Sequence, residues 1–130
     1  MHRSIGSVVH GVIDYLLVLI LAIGPGVSGF RGKQAMFCYG LAVIHFLLTV
    51  FTRFPLGVSK HVRFPVHGAL EFIIGALMVV GPWLIGFSRG VLSRNFFMAI
   101  GALILLIWFL TDYRGLRSDG RAPAKEPVAP

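Results

Sequence analysis

Residues 9–30 read VHGVIDYLLVLILAIGPGVSGF, and residues 66–87 read VHGALEFIIGALMVVGPWLIGF. The two stretches align without gaps at an offset of 57. His10 meets His67, Gly11 meets Gly68, Asp14 meets Glu71 and Tyr15 meets Phe72. Gly24-Pro25 meets Gly81-Pro82, and Gly29-Phe30 meets Gly86-Phe87. Apolar residues align easily by chance, but the rare polar and Gly/Pro positions do not. A repeat at a fixed period signals a duplicated structural unit.

Working outward from this pair, four apolar runs stand out, at Ser7–Phe30, Gln34–Phe51, Pro65–Phe87 and Asn95–Thr111. At ~1.5 Å per residue, runs of this length come close to the ~30 Å of a bilayer's hydrocarbon core. They do not alternate apolar with polar, so strands are excluded. In lipid every backbone donor needs an internal partner, which makes each run a helix. The expected fold is an all-α, four-helix membrane bundle of two tandem two-helix repeats, repeat 1 about 8–54 and repeat 2 about 65–113. Each unit contains an even number of spans, so the copies share one orientation about an axis along the membrane normal. The second helices align more loosely, at an offset of 61 that brings Gly40 to Gly101 and Arg53 to Arg114.

Composition agrees. Charged residues are 13% of the chain and apolar residues 56%, with a mean hydropathy of +0.83. A soluble domain carries about 25% charged residues to cover its surface. The net charge of +7 does not indicate nucleic acid. The Lys and Arg residues flank the apolar runs instead of lining one amphipathic face, as expected for cations attracted to lipid headgroups. Arg3, Arg53, Lys60, Arg63, Arg114, Arg117, Arg121 and Lys125 fall on the side of the termini. Arg31, Lys33, Arg89 and Arg94 fall on the hairpin side. The positive-inside rule therefore places both termini in the cytoplasm. The first run is no cleaved signal, because His10 and Asp14 interrupt it and its pattern recurs mid-chain. Residues 1–113 form the membrane domain. Residues 114–130, RGLRSDGRAPAKEPVAP, have the composition of a disordered cytoplasmic tail. Cys38, the single cysteine, lies in an apolar run and reads as a buried, inert thiol.

A two-helix unit with Pro-Trp near the end of its first helix resembles the SPW repeat family of small membrane proteins. The second copy carries Gly81-Pro82-Trp83, with Gly in place of the motif's Ser. The first carries Gly24-Pro25-Gly26 and has no Trp. The resemblance spans most of residues 8–113. It implies the tandem-repeat architecture, and it transfers no catalytic residue because the family has no established biochemical activity.

His10 and Asp14 lie at i and i+4, as do His67 and Glu71, so each pair occupies one helix face. Ionisable groups at membrane depth are costly and face the protein interior or water. Two roles compete. In the first, Asp14 pairs with Arg53 and Glu71 with Arg114, giving each hairpin an ion-pair clamp. In the second, two imidazoles and two carboxylates share a site for a divalent metal or for protons. Bundle di-metal sites use Glu-x-x-His, whereas this chain has His-x-x-x-Asp/Glu. His45, in the second helix, does not follow the repeat, since Leu106 is its counterpart. It reads as a satisfied interhelical histidine or, alternatively, a haem ligand. Pro25 and Pro82 predict kinks or helix ends near the outer interface. Trp83, Phe30 and Phe87 then lie at headgroup level. Gly40, Gly75 and Gly101 are expected at close helix contacts.

No nucleophile pattern and no phosphate loop is present. The expectation is a non-catalytic membrane module for self-association or partner docking, with no enzymatic activity, no cofactor and no metal. Its partners are then the lipid bilayer and a second copy or another membrane protein, not nucleic acid. The alternatives are a small proton- or metal-handling transporter or channel built on the His/carboxylate cluster, and a membrane haem or redox protein.

Overall fold

The computed structural model describes residues 4–114. Beyond Arg114, the expected tail lies outside the described residues. Four helices follow in order: α1 (Ser7–Ser28), α2 (Gly32–Val50), α3 (Phe64–Leu84) and α4 (Val91–Leu110). All four are long and apolar enough to cross a membrane. Their outward faces expose large apolar side chains such as Leu16, Ile23, Ile44, Ile73 and Leu106, a surface suited to lipid. The chain is an integral multi-pass membrane protein.

The packing divides the bundle into two hairpins. α1 packs on α2 and α3 on α4, with lighter contact along α2–α3 and α1–α4. This arrangement is consistent with two tandem two-helix modules. The turns of both hairpins follow from the Gly/Pro positions. Pro25 does not break α1, which runs on to Ser28. Its missing N–H leaves the Leu21 carbonyl without a helical partner. The Cys38 thiol donates to that carbonyl at 3.3 Å, so the lone cysteine has a defined place. The helix then ends at Gly29, which takes the left-handed conformation at φ 69°. The Phe30 N–H closes the turn on the Pro25 carbonyl at 2.8 Å. In the second hairpin Gly86 sits at φ 84°, and the Phe87 N–H bonds the Pro82 carbonyl at 2.8 Å. α4 begins four residues before the apolar run. Arg94 continues the helix, its N–H bonding the Gly90 carbonyl at 2.8 Å and its guanidinium reaching the Ser88 carbonyl at 3.3 Å.

A Cβ on Gly101 would lie 2.8 Å from the Gly75 carbonyl oxygen, so these two glycines let α3 and α4 touch backbone to backbone. Gly40, by contrast, faces open space, and the close contact expected of it is not made.

At the end of the bundle where α1 and α3 begin and α2 and α4 end, the two hairpins are tied crosswise. Ile5, before α1, bridges to Thr111, after α4, and Val62, before α3, bridges to Thr52, after α2. The Ile5 N–H bonds the Leu110 carbonyl and the Asp112 N–H bonds the Ile5 carbonyl, both at 3.1 Å. Likewise the Val62 N–H bonds the Phe51 carbonyl and the Arg53 N–H bonds the Val62 carbonyl, both at 2.8 Å. These matched contacts relate the second helices by a shift of 59 (Thr52 to Thr111), not the expected 61. The difference of two residues is ~200° of helix rotation, which exchanges buried and exposed faces. At 59, His45 corresponds to Ile104, and both are fully buried; at 61 it would correspond to Leu106, which is 54% exposed.

Candidate metal centre

The four histidine and carboxylate side chains that the sequence places on α1 and α3 enter one site. His10 and Asp14 occupy the first two turns of α1, and His67 and Glu71 the first two turns of α3. All four are fully buried. One ligand atom from each lies within 4.8 Å of the other three. The imidazole Nε2 atoms of His10 and His67 are 3.3 Å apart. His10 Nε2 is 3.4 Å from both Asp14 Oδ1 and Glu71 Oε2. His67 Nε2 is 3.2 Å from Asp14 Oδ2 and 4.0 Å from Glu71 Oε2.

The threonines ending α2 and α4 determine which atoms of the histidines face inward. Thr52 Oγ1 lies 2.6 Å from the Leu48 carbonyl oxygen, and Thr111 Oγ1 lies 2.7 Å from that of Ile107. At such distances each hydroxyl donates its proton to its own helix. What it offers the neighbouring imidazole is a lone pair. Thr52 Oγ1 is 2.8 Å from His67 Nδ1, and Thr111 Oγ1 is 2.9 Å from His10 Nδ1. Both histidines therefore carry their proton on Nδ1 and present a bare Nε2 to the cluster. Each histidine is held by a threonine of the other hairpin, so the site exists only where the two hairpins meet.

The centre of the cluster is consequently a set of acceptors. Two Nε2 lone pairs and two carboxylates converge, and both oxygens of Asp14 and Oε1 of Glu71 have no hydrogen-bond partner. Burying such groups without a positive partner is strongly unfavourable. A divalent cation would neutralise the two carboxylates and accept all four lone pairs. Tetrahedral bonds of ~2.0–2.1 Å set neighbouring ligand atoms about 3.3 Å apart, close to the spacings here. Metal-binding histidines normally donate their other ring N–H to an outer acceptor, and here threonine oxygens fill that place. The Tyr113 hydroxyl supplies the same support to Glu71, donating to Oε2. Burial, followed by the charge of Glu71, pushes the Tyr113 phenol above its ordinary pKa, so it stays a protonated donor.

Three aromatic rings close the site toward the bundle end. Phe64 lies 5.4 Å from His10, 5.9 Å from His67, 6.0 Å from Phe54 and 4.9 Å from Tyr113, centroid to centroid. On the other side, Leu17, Leu21, Cys38, Met78 and Phe97 form an apolar plug with almost no exposure.

The expectations of no metal, no cofactor and no chemistry are overturned by this convergence. No recognisable motif encodes it, because each helix supplies only two ligands and the halves meet in space. The arginine clamps do not form either. Arg53 and Arg114 are exposed, and Arg53 turns its Nε to the Lys60 carbonyl at 2.7 Å. The carboxylates take histidines as neighbours instead. His45 is fully buried, with Nε2 3.7 Å from Asp14 Oδ1, yet neither ring nitrogen has a hydrogen-bond partner. It is therefore not the satisfied interhelical histidine expected from its position. Pro25, Pro82 and Trp83 stand at the opposite, hairpin end, the prolines buried and Trp83 55% exposed.

Sequence reading missed Thr52, Thr111 and Tyr113. A Thr at or one residue past the end of each second apolar run was the available signal. No family model, curated protein or solved structure matches the chain.

Proposed function

We propose that the protein is a membrane-embedded metal-binding protein, holding one divalent transition-metal ion between its two hairpins. The ligands are His10, Asp14, His67 and Glu71. One observation carries this reading: with each Nδ1 held by a threonine oxygen, two imidazole Nε2 atoms face each other, 3.3 Å apart, among carboxylate oxygens without hydrogen-bond partners. Mixed imidazole and carboxylate donors favour zinc-like, iron or manganese ions over magnesium or calcium. This metal-handling role is better supported than one limited to docking. The apolar plug favours retention of the ion over its passage through the bundle.

The crosswise contacts at constant shifts of 57 and 59 support a duplicated two-helix unit. They also support the division into repeats at 8–54 and 65–113. Cytoplasmic termini are part of the same reading. Among the described residues the flanking cations divide evenly, four to each end, so the excess comes from Arg3, Arg117, Arg121 and Lys125.

The test is metal stoichiometry of the full chain purified in detergent, stripped with chelator and reloaded with zinc or cobalt(II). One ion per chain is expected, with a tetrahedral cobalt spectrum and loss of binding in His10→Ala and His67→Ala. Absence of saturable binding in a folded, stripped sample would overturn the proposal. It would leave shared protons as what separates the two Nε2 atoms.

A further inference from the structure

Beside the cluster, a cavity of about 220 Å³ opens where α3 begins and α4 ends. It is lined by Pro65, Gly68, Ala69, Trp108, Tyr113 and Arg114. Tyr113 is the wall shared with the metal centre. Its ring faces the cavity, and its hydroxyl donates to Glu71 on the other side. The wall is tightly seated, since a Cβ on Gly68 would come within 2.8 Å of the tyrosine ring. The first hairpin has Phe54 against Gly11 in the matching place, a ring without a hydroxyl. Among the described residues, the second hairpin borders this cavity with a ring whose hydroxyl reaches the cluster, and the matching ring of the first hairpin has no hydroxyl.

The lining identifies the occupant. Arg114 is exposed at the mouth, beyond the last turn of α4. A guanidinium there disfavours entry of a free cation, so the cavity is not the metal's route. The same guanidinium binds phosphate oxygens in a two-pronged fashion. Trp108 and Ala69 supply an apolar wall, and helix ends in a membrane protein lie at headgroup depth. We propose that this cavity binds a phosphate group, of a lipid headgroup or in free form, one side chain away from the metal. Arg114 holds the phosphate, and Tyr113 is the positioning residue that links it to Glu71. The inference rests on the metal reading only for what the bound phosphate could then react with; binding itself does not require the metal.

Two tryptophans are present, and Trp83 lies at the far end, so a Trp83→Phe background leaves Trp108 as the sole reporter. The full chain in that background goes into nanodiscs of phosphatidylcholine with increasing phosphatidylglycerol. In a second arm, inorganic phosphate is added to pure phosphatidylcholine discs. A saturable shift of Trp108 emission in the first arm assigns a lipid headgroup, and in the second a free phosphate. Arg114→Gln is expected to weaken the response about tenfold, the scale of one charged hydrogen bond. Cobalt stoichiometry in the same sample is expected to stay unchanged. No shift in either arm, or a shift that Arg114→Gln leaves intact, overturns the proposal. Phosphate binding without any bound cobalt would sink the metal reading and leave this one standing.

Discussion

Replacing Thr52 or Thr111 by valine is the sharpest test of the site, because neither residue would touch the metal. Valine keeps the shape and removes one acceptor. The imidazole Nδ1–H, 2.8 Å from Thr52 or 2.9 Å from Thr111, then loses its partner in a fully buried place. An unsatisfied buried donor costs about 1–3 kcal/mol. The ring escapes that cost by moving its proton to Nε2, where it can donate to Asp14 or Glu71. That tautomer cannot bind a metal through Nε2. Metal binding must then reverse the shift, so affinity should fall by the same energy, about 10–100-fold, the usual effect of losing an outer partner of a metal-bound histidine. The two substitutions should act alike, since the two threonines make matched contacts. Serine at either position keeps the oxygen and should restore most of the affinity. Competition between the protein and a chromophoric chelator measures the loss, and thermal unfolding of the stripped protein controls for folding. Equal affinity in wild type and both valine variants would refute the tautomer argument on which the metal site is built.

Other outcomes follow from the same contacts. Gly101→Ala places a methyl 2.8 Å from the Gly75 carbonyl oxygen and should destabilise the bundle by about 1–3 kcal/mol, read as a lower unfolding temperature in detergent. Gly40→Ala, in open space, should change little. The phenol of Tyr113 is raised by burial and by Glu71. A raised folded pKa stabilises the protein fully below the unfolded value of about 10, and that stability is lost as pH climbs beyond it. Unfolding temperature should therefore drop in strong alkali, and the drop should shrink in Tyr113→Phe. Protons compete with metal for both Nε2 atoms, so equilibrium dialysis at falling pH should show progressive release of the ion.

The helices were legible because each span must be continuously apolar to lie in lipid, and a repeat placed the rare polar residues. The bounds of α1, α2 and α3 shifted by a few residues at most. The site was legible only as residue types. His-x-x-x-Asp and His-x-x-x-Glu fix two faces, but nothing in one chain says whether those faces turn toward arginines or toward each other. The wrong shift for the second helices compounded this. It aligned Arg53 with Arg114 and suggested paired clamps, whereas the contacts align Arg53 with Asp112. Thr52 and Thr111 went unnoticed because threonine at a helix end has a local use, bonding back to its own helix. That local bond is also what makes it an acceptor for histidine, a consequence visible only when another hairpin arrives.

His45 tests how far the symmetry of the two halves matters. Its matched position in α4 is Ile104, which is equally buried, so the fold accepts an apolar side chain there. A histidine with two unpartnered ring nitrogens in a buried place is a cost that packing alone does not repay. Its Nε2, 3.7 Å from Asp14 Oδ1, becomes a good hydrogen-bond partner after a small turn of either side chain. A metal that fixes Asp14 would select that turn, giving Asp14 the support that Tyr113 gives Glu71. His45→Leu should then act in opposite directions in the two states. The stripped protein should gain a few degrees of thermal stability, having lost an unsatisfied polar group. The metal-loaded protein should lose affinity, by the ~10-fold or more of a missing outer contact. A loss of stability in the stripped state would show that His45 already has its partner without metal. Unchanged affinity would separate it from the site. Opposed signs are the outcome expected if the histidine is retained for the ion and not for the fold.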